Sequence, residues 1–284
     1  MPEYLEHKNI LWKKYQGALI PENPPHVVVN VSKKEQQELL KQSGAWFMRW
    51  PSEWDTDKTT SWWYVIKEDF QGMQELSKNT RSKVRRALKR QKVDLASAKE
   101  IAEEGYEVYQ QAFRNYDTFL KPMSRKEFSD YVLALNADYW EFFACRNVED
   151  GAMTAYSQNL VMDNAAEYKI IKLHPDHLKN YPSYALIYTM NEYYLQKRNL
   201  KYVNDGARSI SHQTNIQQFL MDKFKFRKAF TTLNLTYRKP LKFVVSCLMP
   251  FHSLIGKINV LPFQRLSILL TQEELYRQNQ KSKQ

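Results

Sequence analysis

Between Glu167 and Tyr237 the spacing of apolar residues switches repeatedly between period two and period 3.6. Glu167–Leu173 (EYKIIKL) alternates and then runs apolar, which predicts a strand. A polar loop without glycine follows, HPDHLKNYP. In SYALIYTMNEYYLQKRN the residues Ala185, Leu186, Thr189, Met190, Tyr193 and Tyr194 recur at helical spacing. Pro182 suits the first helical turn, and Asn180 is the expected cap before it. Lys201–Asn204 predicts a brief strand that stops at Asp205-Gly206. Thr214 and Gln217 have capping-box spacing ahead of NIQQFLMDKF, and Arg227–Tyr237 reads as a long strand. Two strands joined by one such helix make a right-handed parallel crossover. Ligands of open α/β sheets bind at the carboxyl ends of strands. Here those ends are Leu173-His174 and Asp205-Gly206.

Elsewhere the pattern is plainer. Residues 1–24 show no clear period, and His26–Val31 (HVVVNV) predicts a short strand. Ser32 with Glu35 opens a helix over Lys33–Lys41, and Ala45–Trp50 and Ser61–Ile66 predict strands. Trp46, Trp50, Trp62 and Trp63 cluster there, with packing as their ordinary role and stacking on a ligand as the alternative. Asn79–Gln91 predicts a helix, Val93–Ser97 a strand and Glu100–Tyr116 a helix; Ser124 with Glu127 opens a further helix, Arg125–Leu135. Tyr139–Arg146 and Met153–Met162 predict strands around an Asp150-Gly151 turn. This order divides the chain into a small α/β layer (residues 1–92), an α/β sandwich with a mixed sheet (93–240) and a Pro-broken tail (241–284). In the tail Thr271 with Glu274 is the expected cap of a polar helix. Packing back on the protein is the default for this segment, and a peripheral membrane contact through Lys242, Lys257 and Arg265 among apolar residues is the alternative.

Composition narrows the chemistry. A chain of 284 residues with 43% hydrophobic and 14% aromatic residues is globular, and seven glycines leave little room for a Gly-rich nucleotide loop. Cys145 and Cys247 each lie in an apolar run, as free thiols of a reducing compartment do. No His, Cys or carboxylate spacing suits a metal, and no signal peptide or membrane span is legible, so a cytoplasmic protein is expected. The net charge of +11 is concentrated: Lys78 to Lys92 contains eight basic residues and no acidic one. Arg81, Arg85 and Lys89 share one stripe with Lys78 and Lys92, while Lys83, Arg86 and Arg90 form a second; Val84, Ala87 and Leu88 make the apolar seam. Such a run is either a solvated face or a surface for an anionic partner, whether phosphorylated donor, RNA or membrane.

The element order from Val93 to Tyr237 resembles the GNAT acyltransferase fold. PSYALIYTMNEYYLQKRNLKYVNDGARS…QQFLMDKFKF and the basic SKNTRSKVRRALKR resemble the Fem-type branch, the aminoacyltransferases of peptidoglycan bridges. The resemblance covers roughly Trp46–Tyr237, with loose motifs and with residues 1–92 as a smaller, degenerate half. It implies an N-acyltransferase that passes an acyl or aminoacyl group from an acyl-CoA or an aminoacyl-tRNA to an amine of the cell wall or of a small molecule, without a metal. The rival reading is a non-catalytic module for RNA or an anionic membrane on a degenerate GNAT fold. The family's phosphate loop lands on Leu178, Tyr181 and Ser183, of which Ser183 alone is small, with Lys179 as a neighbouring cation. A backbone N–H near Leu173-His174 is implied to polarise the donor carbonyl. Asp205, His174 and His212 are the candidates for proton handling, with turn capping or plain loop roles as alternatives. Arg208 is a candidate clamp for a carboxylate or phosphate, or a partner of Asp205. The last family helix meets Asn215, Gln218, Asp222, Lys225 and Phe226. Its usual tyrosine is Asp222 here, the Fem lysine position is Leu220, and Lys223 stands one turn later. Arg81, Arg85 and Lys89 complete the implied donor side.

Overall fold

The computed structural model describes residues 3–116, 121–210, 215–258 and 260–281. The chain opens with β1 (Glu3–His7), β2 (Ile10–Tyr15), β3 (Ala18–Pro21), α1 (Lys33–Ser43), β4 (Phe47–Ser52) and β5 (Trp62–Lys67). It continues with α2 (Lys78–Arg90), β6 (Gln91–Ala96), α3 (Ala98–Phe113), α4 (Arg125–Leu133), β7 (Trp140–Asn147), β8 (Met153–Met162) and β9 (Ala165–Leu173). Then come α5 (Pro182–Asn191), β10 (Tyr202–Ala207), α6 (Asn215–Phe224) and β11 (Arg227–Tyr237), followed by α7 (Lys239–Leu248), α8 (His252–Ile255) and α9 (Leu261–Lys281). Two compact units result, residues 1–64 with 207–215 and 228–284, and residues 65–206 with 216–227.

In the first unit β1, β2 and β3 form an antiparallel meander, β3 pairs in parallel with β4, and β4 pairs antiparallel with β11. The meander escaped the sequence pattern. Its two turns are Lys8-Asn9 and Gln16-Gly17, all four at positive φ, the backbone that matches the twist of a tight hairpin. His26–Val31 corrects the expectation of a strand: it pairs with nothing as a ladder, and Val27, Val29 and Val31 instead lie against the core of Trp12, Leu19, Leu40 and Met48. Alternation there reflects one-sided packing of extended chain after Pro24-Pro25. Thr271 is no cap either. It lies inside α9, where its hydroxyl donates to the Ser267 carbonyl.

The second unit carries the sheet order β6-β7-β8-β9-β10, antiparallel except for the parallel β9–β10 pair. A capping box at Ser124/Glu127 starts α4 where the sequence pattern placed it, and one at Ser97/Glu100 starts α3 at Ala98, two residues ahead of the expected Glu100. Those helices bury Ile101, Val108, Phe128 and Val132 against Phe142, Ala144 and Tyr156 of the sheet. The next residue along β7, Phe143, meets Tyr193 and Tyr194. Successive strand residues point to opposite faces, so α5 and its continuation cover the other side. That continuation, Glu192–Lys197, is a π-turn. α2 packs beside α5 through its buried Val84 and Ala87, while Leu88, expected in the seam, is partly exposed.

Candidate functional site

β9 and β10 pair over three residues only, Tyr202↔Ala165, Val203↔Ala166 and Asn204↔Glu167. β9 then continues to Leu173 along β8 with a bulge, because the register skips Lys169 between Tyr168 and Ile170. Asn204 stands at the point of parting. Its buried amide donates to the Ala166 carbonyl at 3.2 Å and accepts the Gly206 N–H at 3.0 Å, tying both strands where their ladder ends. β10 itself runs on through Asp205-Gly206 to Ala207, beyond the predicted stop at Asn204.

Asp205 follows the last paired residue of β10, and the Glu167 carboxylate of β9 lies near enough to act on it electrostatically. Crowding by protein atoms, and then the Glu167 carboxylate, push the partly exposed Asp205 carboxyl up to about 8; a hydrogen bond from Gln217 opposes the rise. Lys169, the bulged residue, holds Glu167 at 3.0 Å. The Gln217 amide also reaches the Asp205 carbonyl, at 3.4 Å. Gly206 has φ +79°, and an added Cβ would come within 3.3 Å of the Glu167 carboxylate, so a side chain there is disfavoured twice over. A carboxylate that ionises near neutral pH at the end of a parallel strand is equipped to take a proton from an amine.

On the other side of the gap the chain turns into α5. The N–H of His174 is taken by the Thr154 carbonyl of β8, and its Nδ1 accepts the Asp176 N–H at 3.3 Å, so the ring caps a short 3-10 turn. Backbone N–H groups alternate along a strand, which directs that of Leu173 to the opposite edge, the one β10 has left. The N-cap of α5 is Tyr181, a non-glycine residue in the left-handed region (φ +57°), followed by half-buried Ser183. Asn180, the predicted cap, instead accepts a hydrogen bond from Arg90 at 3.1 Å. Lys83 and Arg86 lie over the Tyr181 ring at 5.7 and 5.5 Å, and Lys83 is also 5.4 Å from the Tyr184 ring. The stripe of α2 that meets the α5 N-terminus is therefore Lys83, Arg86 and Arg90. Lys179 is exposed nearby.

The stripe singled out from the sequence does something else. Arg85 and Lys89, with Lys78, Arg81, Ser82 and Arg86, line an open groove of about 620 Å³. Arg81 is anchored to the carbonyls of Leu76 and Gln74 at 3.0 and 3.3 Å. Arg208 belongs to the first unit, where it donates to the Ser61 carbonyl at 2.7 Å and covers Trp63, with Lys228 also near that ring. Asn215 is the exposed first residue of α6 and Lys223 is half-exposed in its last turn; Asp222 accepts from Gln218 at 2.6 Å. His212 and Thr214 lie outside the described residues. Among the described residues no group of His, Cys, Asp and Glu could hold a metal.

No protein-family model matches the sequence, and no curated protein matches it. Solved structures do. FemX superposes over 83% of this chain and 85% of its own, with a TM-score of 0.56 at 12% identity. The C-terminal domain of an Agrobacterium fabrum protein described as a lysylphosphatidylglycerol synthetase covers 87% and 88%, with a TM-score of 0.54 at 11% identity. The fold is that of Fem-type GNAT acyltransferases. L-PGS from Bacillus licheniformis matches over 97% of this chain and 90% of its own, with a TM-score of 0.53 at 10% identity. The parting of β9 from β10 thus lies in a GNAT-like fold, beside a helix α5 whose N-cap is Tyr181.

Proposed function

We propose that this chain is an N-acyltransferase that moves an acyl or aminoacyl group from a phosphate-bearing donor to an amine. The observation that carries this reading is the parting of β9 and β10 with Asp205 and Glu167 at its mouth. The donor carbonyl lies in the gap, where the Leu173 N–H polarises it. The amine attacks the carbonyl carbon, Asp205 takes the ammonium proton, and the thiolate or ribose oxygen of the donor leaves with the bonding pair. The donor's phosphates sit at the α5 N-terminus beside Lys83, Arg86 and Arg90. Tyr181 fills the place where a glycine would let the backbone itself approach a pyrophosphate, so side-chain cations replace backbone N–H groups.

Both donor classes, acyl-CoA and aminoacyl-tRNA, present the required phosphates. One of the superposed relatives, from Agrobacterium fabrum, is described as a lysylphosphatidylglycerol synthetase, which favours the aminoacyl donor. A thermal-shift panel of CoA thioesters and charged tRNA identifies the donor, and transfer to a panel of primary amines then tests the chemistry. Stabilisation by one donor class, with transfer lost in Asp205→Asn, is the expected result. Binding of uncharged RNA alone, with no transfer from either donor, would favour the rival module that uses the α2 groove.

A further inference from the structure

The C-terminal segment presents an apolar surface of its own. Among the described residues, seven of the eighteen exposed large apolar side chains fall between Phe243 and Phe263, including Phe251, Leu254, Ile258 and Val260. Phe243 is 72% exposed and Leu254 60%. They are not the side chains that hold the segment in place. Val245, Ile255 and Leu270 bury themselves with Phe47, Leu235 and Tyr237, and Leu241, Leu248 and Leu266 support them. α7 and α8 each pack against α9, so a seated inner face leaves an apolar outer one.

Charge says what meets that outer face. From Arg238 to Gln272 the sequence holds five Lys or Arg and no Asp or Glu. The first carboxylates after it are occupied, Glu273 by Tyr237 and Arg277 and Glu274 by His252. Large apolar side chains interleaved with cations whose stems can lie flat suit the boundary between acyl chains and anionic headgroups. A second copy of the chain fits poorly, because an isologous contact would bring this all-basic surface against itself. No helix among the described residues is long and apolar enough to cross a membrane, so such a contact lies in the interface plane. We infer that the α7–α9 segment docks on an anionic bilayer surface, with Phe243, Phe251, Leu254 and Phe263 entering the headgroup boundary.

Cys247 gives a direct readout, since it is exposed on α7 whereas Cys145 is buried. The full chain, labelled at Cys247 with an environment-sensitive thiol dye, is mixed with vesicles of phosphatidylcholine alone or of phosphatidylcholine with phosphatidylglycerol. A blue shift and co-sedimentation with the anionic vesicles are expected. The unlabelled triple variant Phe243→Ser/Leu254→Ser/Phe263→Ser should keep the wild-type melting temperature and lose at least about tenfold in partitioning. Lys242→Gln with Lys257→Gln should lose about fivefold for each charge removed. Binding that survives the triple variant and vanishes in salt would assign the membrane contact to charge alone and overturn the insertion of this face. Absence of binding to either vesicle, with or without dimerisation in sedimentation, would overturn it as well. Both readouts are independent of acyl transfer.

Discussion

As the proposed base, Asp205 couples chemistry to stability. Its ordinary pKa is near 3.8 and the folded value is about 8, so folding favours the protonated acid. The stability it contributes is complete below about pH 4 and is lost as the pH rises through 8, because the unfolded carboxyl ionises freely while the folded one resists. Asp205→Asn removes the titrating group and keeps an oxygen for the turn, so its unfolding free energy should vary less between pH 4 and 8 than that of the wild type. Denaturant melts at several pH values check this, and parallel curves for both proteins would contradict it. Asp205-Gly206 has the composition of a strand end, although β10 runs on to Ala207, so Asp205 stood out in the sequence. Glu167, its partner, is 38 residues earlier in the chain and looked like one more polar position at the start of a strand. The parallel register Asn204↔Glu167 makes them neighbours, and no local pattern encodes that pairing.

Elements show the same division between local and non-local information. Boxes such as Ser124/Glu127 satisfy helix N–H groups within four residues, so α4 starts where the sequence places it, whereas the Ser97/Glu100 box starts α3 two residues ahead of the expected Glu100. Ser97→Ala should cost about 1 kcal/mol of unfolding free energy, measured by urea denaturation. A cost near zero would mean that packing of α3 on Phe142 and Tyr156, and not its cap, fixes its start. The basic helix α2 was equally legible, yet the stripe that faces the α5 N-terminus was not, since it depends on Tyr181 standing in the left-handed region with its ring beneath Lys83 and Arg86. Replacing Lys83 and Arg86 by Gln should raise the donor KM roughly tenfold for each cation removed from a phosphate, with kcat little changed. Gln at Arg85 and Lys89 should do less to a CoA thioester and more to a tRNA. A long polyanion uses the whole groove, and neutralising two of the cations that meet its phosphates lowers its salt dependence by about 1.4 to 1.8 in slope. Equal KM effects from both pairs on every donor would place the donor elsewhere.

At the scale of the molecule the α/β order was readable from Val93 onward because each crossover is built from consecutive segments. The first 31 residues were not, since a meander with two-residue turns offers strands too short to show a period. The fold brings together what the proposed acyl transfer requires: a gap between parallel strands, a carboxyl of raised pKa at its mouth and cations at the neighbouring helix N-terminus. The pH dependence of single-turnover transfer tests this most directly, once the donor panel has named a substrate. Wild-type transfer should rise with pH and level off around 8, as Asp205 ionises. Glu167→Gln should move that inflection to lower pH by removing the neighbouring charge. Asp205→Asn should lose the inflection and fall by on the order of 10²-fold or more. An Asp205→Asn protein that keeps the wild-type rate and the same pH profile would contradict the account.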